Sequence, residues 1–153
     1  MDGIHGALAA LTHGVYVLGV HTPEKDNLMT AAWLCQVSSR PPMVAAAVSS
    51  SHLTAELIPK AAGFSVSVLR ADQKDAALKN GTVSGRALDK LSGTACAPGQ
   101  LGHPIVEGAA ACLECRLVRT VTAGDHTLFI GEVLAGDARP GEPLLYRKKD
   151  FFP

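Results

Sequence analysis

Aromatic side chains are scarce in this chain: one Trp, two Tyr and four Phe among 153 residues. A core built from it must rely on aliphatic and small residues. Charge is sparse too. Only 18% of residues are charged, and fourteen basic residues balance fourteen acidic ones. Zero formal net charge argues against nucleic acid or an anionic membrane as the main partner. The low content of charged residues also suggests that a partner subunit covers much of the surface. No apolar run approaches the ~20 residues of a membrane-spanning helix. Met1-Asp2 lacks the basic start and cleavable apolar stretch of a signal peptide. A cytoplasmic protein is therefore expected, with no nucleic acid and no membrane among its partners. What is present is a 47% apolar composition, which marks a globular chain. Its length fits a single domain over residues 1–153.

Several motifs are absent as well. GxGxxG and GxxxxGK[ST] do not occur, so a Rossmann or P-loop site has no support. There is no GxSxG elbow. No His/Cys/Asp/Glu group has metal-ligand spacing, and no metal is expected. Of the four cysteines, Cys112 and Cys115 form a CxxC, which is half a metal site at best. On a strand, positions three apart face opposite ways. Small core thiols in a reducing compartment are the simpler reading, beside a metal or redox role.

The pattern is mostly that of strands. A short helix over residues 3–11 precedes VYVLGV (15–20), MTAAWLCQV (29–37), MVAAAV (43–48) and FSVSVL (64–69). In the last, Phe64, Val66 and Val68 share one face. TPEKDN (22–27) is turn material joining the first two as a hairpin. Leu53 to Ala62 has helical spacing limited by Pro59, and Asp72 to Lys79 reads as a helix with Asp72 as N-cap. Residues 80–108, rich in Gly, Ser and Pro, read as an irregular excursion. ACLECRLVRTV (111–121) and TLFIGEVLAGDA (127–138) flank a hairpin connection, and 144–152 adds a last short strand or tail. Six or more strands with two or three short helices predict a mainly β fold, an antiparallel barrel with short helices.

The densest stretch is NLMTAAWLCQVSSRPPMVAAAVSSSHLT, residues 27–54. SSSHLT (49–54) places hydroxyls at a helix start, where unpaired amides and the helix dipole favour an anion. Ordinary capping by Ser51 accounts for the same residues. Trp33 sits among alanines, which leave room for a planar ring; burial in the core is the competing reading. Lys90 is a solvated charge or a counter-ion for phosphate. His126 is a turn residue or a proton donor near neutral pH.

NxMTAAW, VSSRPPMV, SSSHLT, GFSVSVL, LDKL and GDHTLFIGEV, in that order, resemble the flavin reductase-like family of FMN-binding split barrels over about residues 5–152. Ala32-Trp33 after Thr-Ala, where many relatives have Asn, resembles the flavoredoxin-like branch. The resemblance implies a six-stranded antiparallel split barrel, a homodimer, and FMN (or FAD) near the subunit interface. It implies that Asn27 and Trp33 contact the isoalloxazine region. Thr30, Ala31 and Ala32 would offer backbone groups to its polar edge. Ser49, Ser51 and Thr54 would hold the ribityl chain and phosphate, with Lys90 neutralising phosphate charge. His126 would lie near the ring where a nicotinamide stacks, as the one candidate catalytic residue. Phe151 or Phe152 would close over the flavin.

The activity so implied is hydride transfer from NADH or NADPH to flavin, which serves an oxygenase or electron-transfer protein partner. The chemistry belongs to the flavin, while the protein supplies position and electrostatics. Two other readings are an FMN electron carrier without NAD(P)H activity and a flavin-free interaction module. No ribose-phosphate reader separates NADH from NADPH.

Overall fold

The computed structural model describes residues 2–151. Its elements, in chain order, are α1 (Gly3–Ala9), β1 (Tyr16–His21), β2 (Asp26–Ala31), β3 (Leu34–Ser39), β4 (Pro42–Ser49), α2 (Leu53–Ala61) and β5 (Gly63–Val68). They continue with α3 (Lys74–Gly81), β6 (Cys96–Pro98), β7 (Pro104–Val106), β8 (Ala111–Ala123), β9 (His126–Ala138) and α4 (Lys148–Phe151). Seven strands form one sheet in the order β2-β1-β5-β8-β9-β4-β3, and β6-β7 form a separate hairpin. Every pairing is antiparallel. The expected mainly β architecture with short helices holds, with seven strands in the main sheet rather than six.

The extra strand comes from a break inside the segment read as one strand over residues 29–37. β2 ends at Ala31 and β3 begins at Leu34, on opposite edges of the sheet. Three Cα steps span at most about 11 Å, so the sheet must curl until its two edges nearly meet. Burial agrees. Met29 and Ala31 of β2 pack in one core cluster with Val44, Ala46 and Val48 of β4, around Leu18, Phe64, Val66 and Phe129. Pattern alone missed the break because the apolar character runs straight through it.

The alternation of β5 holds: Phe64 and Val66 point into this core. Its other face is covered as well. Ser65 donates from Oγ to the Pro104 carbonyl at 2.6 Å, and Val106 N–H donates to Ser67 Oγ at 3.0 Å. The β6–β7 hairpin makes both contacts, so residues 80–108 are not wholly irregular. Gly19 lets that hairpin approach β1, since a Cβ there would lie 2.1 Å from the Pro104 carbonyl oxygen.

The helices depart from expectation at their ends. α2 runs through Pro59 and stops at Ala62, which takes the left-handed conformation at φ 55°. α3 begins at Lys74 with Gln73 as N-cap. Asp72 is diverted to an ion pair with Arg70, Nε to Oδ1 2.7 Å, so it does not cap. Residues 143–145 add isolated bridges, Arg70 to Pro143 and Gly14 to Leu145, and α4 follows. None of the described helices is long and apolar enough to cross a membrane.

The cysteines are all free. Cys115 is fully buried, and burial pushes its thiol up to about 12, with the Glu114 carboxylate adding to the shift. A thiol held protonated is a poor ligand and nucleophile. Among the described residues no His, Cys, Asp or Glu group is placed to hold a metal.

Candidate functional site

The split between the sheet edges opens into a trough. β2 is an edge strand, so half of its N–H and C=O groups point away from β1. Across the gap, β4 extends past the start of β3. Ala47 N–H donates to the Trp33 carbonyl at 2.9 Å, and Val48 and Ser49 have no β3 partner beyond it. A cavity of about 270 Å³ lies here, walled by Thr30, Ala31, Ala32, Trp33, Ser49, His126 and Phe151 among others. A second cavity of about 220 Å³ is walled by Asn27, Thr30, Ser51, Thr54 and Lys90 among others. The two share Met29, Thr30, His52, Gly81 and Thr82. They form one continuous groove.

Every described residue that the resemblance assigns to the flavin site lines one of these cavities; Phe152 lies outside the described residues. The chain order explains how they meet. β2 and β4 flank the split, α2 leaves the end of β4, and α3 packs on β2 through a Thr30 Oγ1 donation to the Ala77 carbonyl at 2.7 Å. Ser50 N–H donates to the Asp125 carbonyl at 3.0 Å, which holds the β8–β9 turn beside the end of β4.

The first cavity has an aromatic rim. Trp33 is 52% exposed, which overturns its reading as a core residue. A large indole stays this open because it sits on the two-residue link between sheet edges, with no layer packed over it. The His126 ring lies against it, centroids 4.6 Å apart at 38°. His126 is the first residue of β9, paired with Ser49 on β4, rather than a loop residue. Its Nδ1 lies 2.6 Å from Asp125 Oδ1. That contact holds the Asp125 carboxyl below the usual carboxylate range. Across the cavity Phe151 stacks on Tyr146, centroids 5.5 Å apart at 14°.

The second cavity is polar. His52, not Ser51, is the N-cap of α2, and it makes no side-chain cap hydrogen bond. Capping therefore does not account for the serines: Ser49 and Ser51 lie with their Oγ atoms 3.3 Å apart. Asn27, expected beside the isoalloxazine with Trp33, instead lines this cavity and not that of Trp33, and it is buried with Thr54, its Nδ2 donating to Thr54 Oγ1 at 3.1 Å. The Thr54 hydroxyl thus accepts from Asn27 and keeps its own proton to donate. Gly85 closes over this pair, where a Cβ would lie 2.1 Å from Asn27 Oδ1.

Lys90 is not the solvated charge that its residue type suggests. It is 6% exposed, and Nζ donates to the Asn80 carbonyl at 2.9 Å. The segment 84–91 folds back over α3, which carries the side chain inward. Burial lowers its ammonium below the usual lysine range. None of the ion pairs among the described residues includes it. A buried cation with only a carbonyl partner is poorly compensated, and an anion in the adjoining cavity would complete it. A trough with an aromatic end, a hydroxyl-lined middle and a buried ammonium suits a flat heteroaromatic ring carrying a phosphate.

Some lining residues had no distinct sequence signal. Met29 and His52 stand inside motifs already noted. Tyr146 and Gly81 do not, since their places depend on a late bridge to Gly14 and on how α3 docks.

The comparisons with known proteins agree with this geometry. The flavin reductase like domain family matches residues 8–153. The chain is 37% identical over 140 residues to the FMN reductase (NADH) SmoA of Agrobacterium fabrum, covering 92% of this chain and 78% of that one. It is 33% identical to the reductase component of 4-hydroxyphenylacetate 3-monooxygenase from Thermus thermophilus, covering 95% and 91%. Among solved structures it is similar to the NADH:FAD oxidoreductase SgcE6 of Streptomyces globisporus, with a TM-score of 0.87, 30% identity, and coverage of 94% and 86%. With the family matched over nearly its whole length and the trough opened by its split sheet, this chain belongs to the flavin reductase-like family.

Proposed function

We propose that the protein is an NAD(P)H-dependent flavin reductase, taking hydride from a nicotinamide and delivering reduced flavin. The observation that carries this reading is the buried Lys90, bonded to a backbone carbonyl and in no ion pair among the described residues, at one end of a groove whose other end is rimmed by Trp33 and His126. FMN fits with its ring at residues 30–33 and its phosphate at residues 51–54 and Lys90. When bound, the flavin supplies the hydride-accepting chemistry.

The chain's own residues bind and orient. Outward amides of β2 near Thr30, Ala31 and Ala32 meet the polar edge of the ring, where fixed dipoles stabilise negative charge gained on reduction. Asn27 pins Thr54 from beneath. Ser49 and Ser51 meet the ribityl chain, and Lys90 the phosphate. Trp33 and His126 border the open face, where a nicotinamide stacks, and His126 orients it or holds a proton there. Phe151 covers the far side.

The relatives support wider assignments. One is the reductase component of a monooxygenase, so an oxygenase is the proposed acceptor of the reduced flavin. We further place the protein in the cytoplasm as a homodimer, with Trp33 and the exposed face of β3 toward the partner.

The test is direct. Purified protein with FMN is assayed for NADH and NADPH oxidation in the absorbance of the reduced nicotinamide. Turnover dependent on added flavin is expected. Flavin binding without nicotinamide oxidation would assign the chain to electron carriage. Absence of FMN binding would end the flavin reading altogether.

A further inference from the structure

The phosphate-end cavity has two unlike walls. One is the start of α2 with the turn before it, Ser51 to Thr54. The other is a stretch of chain outside the helices and strands, which contributes Val83, Gly85 and Lys90. That stretch is held at its ends. It leaves α3 at Gly81, and Leu91 packs beside the core cluster of Val15, Leu28 and Leu69. Between these anchors the chain is loosely tied. The N–H groups of Ala87 and Leu88 donate to the Ser84 carbonyl at 3.1 and 3.2 Å, and among the described residues no backbone–backbone hydrogen bond joins 83–90 to another element. Only Gly85 and Lys90 in this span are buried. Gly85 lies against Asn27, and Lys90 Nζ meets the Asn80 carbonyl. One further polar tie runs to the opposite wall. The Arg86 guanidinium grips Glu56 of α2, Nη1 donating to Oε2 at 3.2 Å and Nη2 to Oε1.

We infer that residues 83–90 form a strap that lifts to admit and release the flavin, and that the Arg86–Glu56 ion pair is its latch. The inference rests on the flavin reading above and deepens it at the same site. A protein that hands reduced flavin on must let it go, and such conformational steps set the turnover of many enzymes. Lifting breaks few bonds, and local opening is cheapest where backbone ties to the body are sparse. It takes Gly85 off Asn27 and opens the roof over Thr54. Both latch side chains are about half exposed, 46% for Arg86 and 51% for Glu56. Neither lines the cavities of the groove. The ion pair is therefore the same in the empty and the filled protein. Its strength cancels from the affinity, because a ligand responds only to what differs between two states. It remains in the rates of entry and exit. An exposed pair is also modest in strength, so the latch holds without locking.

The experiment mixes the full chain with FMN in a stopped-flow instrument and follows quenching of Trp33 emission, the single Trp of the chain, without any nicotinamide. Arg86→Ala and Glu56→Gln, both at exposed positions, should each speed association and dissociation alike. The expected gain is about two- to fivefold, the span that an exposed ion pair allows. The dissociation constant should stay within about twofold of the unaltered chain. The double variant should be no faster than either single one, since both changes remove the same contact. Unchanged rates in the single variants, effects that add in the double, or faster dissociation alone with weaker binding would overturn the inference while leaving the flavin reading intact. No binding of FMN would remove both.

Discussion

At the scale of single residues, the groove sets a buried ammonium against a set of hydroxyls, and each can be probed alone. Lys90→Met keeps the length of the side chain and removes its charge. It should weaken FMN about 10- to 100-fold, the usual range for a hydrogen bond to a charged group, and leave riboflavin nearly unchanged, as titrated by fluorescence. Thr54→Val removes the acceptor of Asn27 Nδ2 in a buried site. A loss of about 1–3 kcal/mol is expected in urea unfolding, because a buried donor is left unpaired. Residue types foretold some of this and misled elsewhere. Thr54 and Ser51 could be recognised from the hydroxyl run, since such side chains gather at helix starts. Lys90 could not, because lysine is usually solvated and only the fold-back of 84–91 over α3 buries it. Trp33 failed in the other direction. Large aromatics are usually covered, and nothing local shows that this one sits on a bare link.

At the scale of elements, strands were legible where apolar and polar residues alternate. β5 is the clear case, with Phe64 and Val66 inward. The β2–β3 break was hidden because alanine, methionine and leucine continue across it. The hairpin of β6 and β7 was hidden by its brevity, three residues in each strand. That hairpin carries a pH dependence of its own. His103, at its tip, is buried, and its Nδ1 accepts from the His21 backbone N–H at 3.1 Å. The neutral ring is the form that can accept. Burial pushes the imidazole below the ordinary value of 6.5, against the opposing Glu114 carboxylate. The unfolded chain therefore binds the proton more readily than the folded one. This stability is complete above about pH 6.5 and is lost as pH falls through that value toward the folded pKa. Thermal melts between pH 7.5 and 5.5 should show the melting temperature falling, and His103→Gln should flatten that slope. An equal slope in the variant would assign the dependence to other groups.

At the scale of the whole molecule, the trough links ligand to fold. Its walls come from β2, β4, α2, α3 and residues 146–151, so a bound flavin clamps elements far apart in sequence. Flavin at about 100 times its dissociation constant should add about 2.7 kcal/mol, a rise of roughly 5–10 °C in melting temperature for a chain of this size. A scanning fluorimetry series with riboflavin, FMN and FAD would measure it. The core beneath should be unforgiving. Phe64 is fully buried at the centre of the barrel cluster, and Phe64→Ala should cost about 3–5 kcal/mol in chemical unfolding. Ala32 and Trp33 have a consequence of another kind. An open seven-stranded sheet would present two rows of unpaired amides to solvent, and such rows template the stacking of one chain on the next. A link of two residues ties the start of one row to the end of the other and bends the sheet back upon itself. The row along β2 is turned toward the trough, where a ligand can use it.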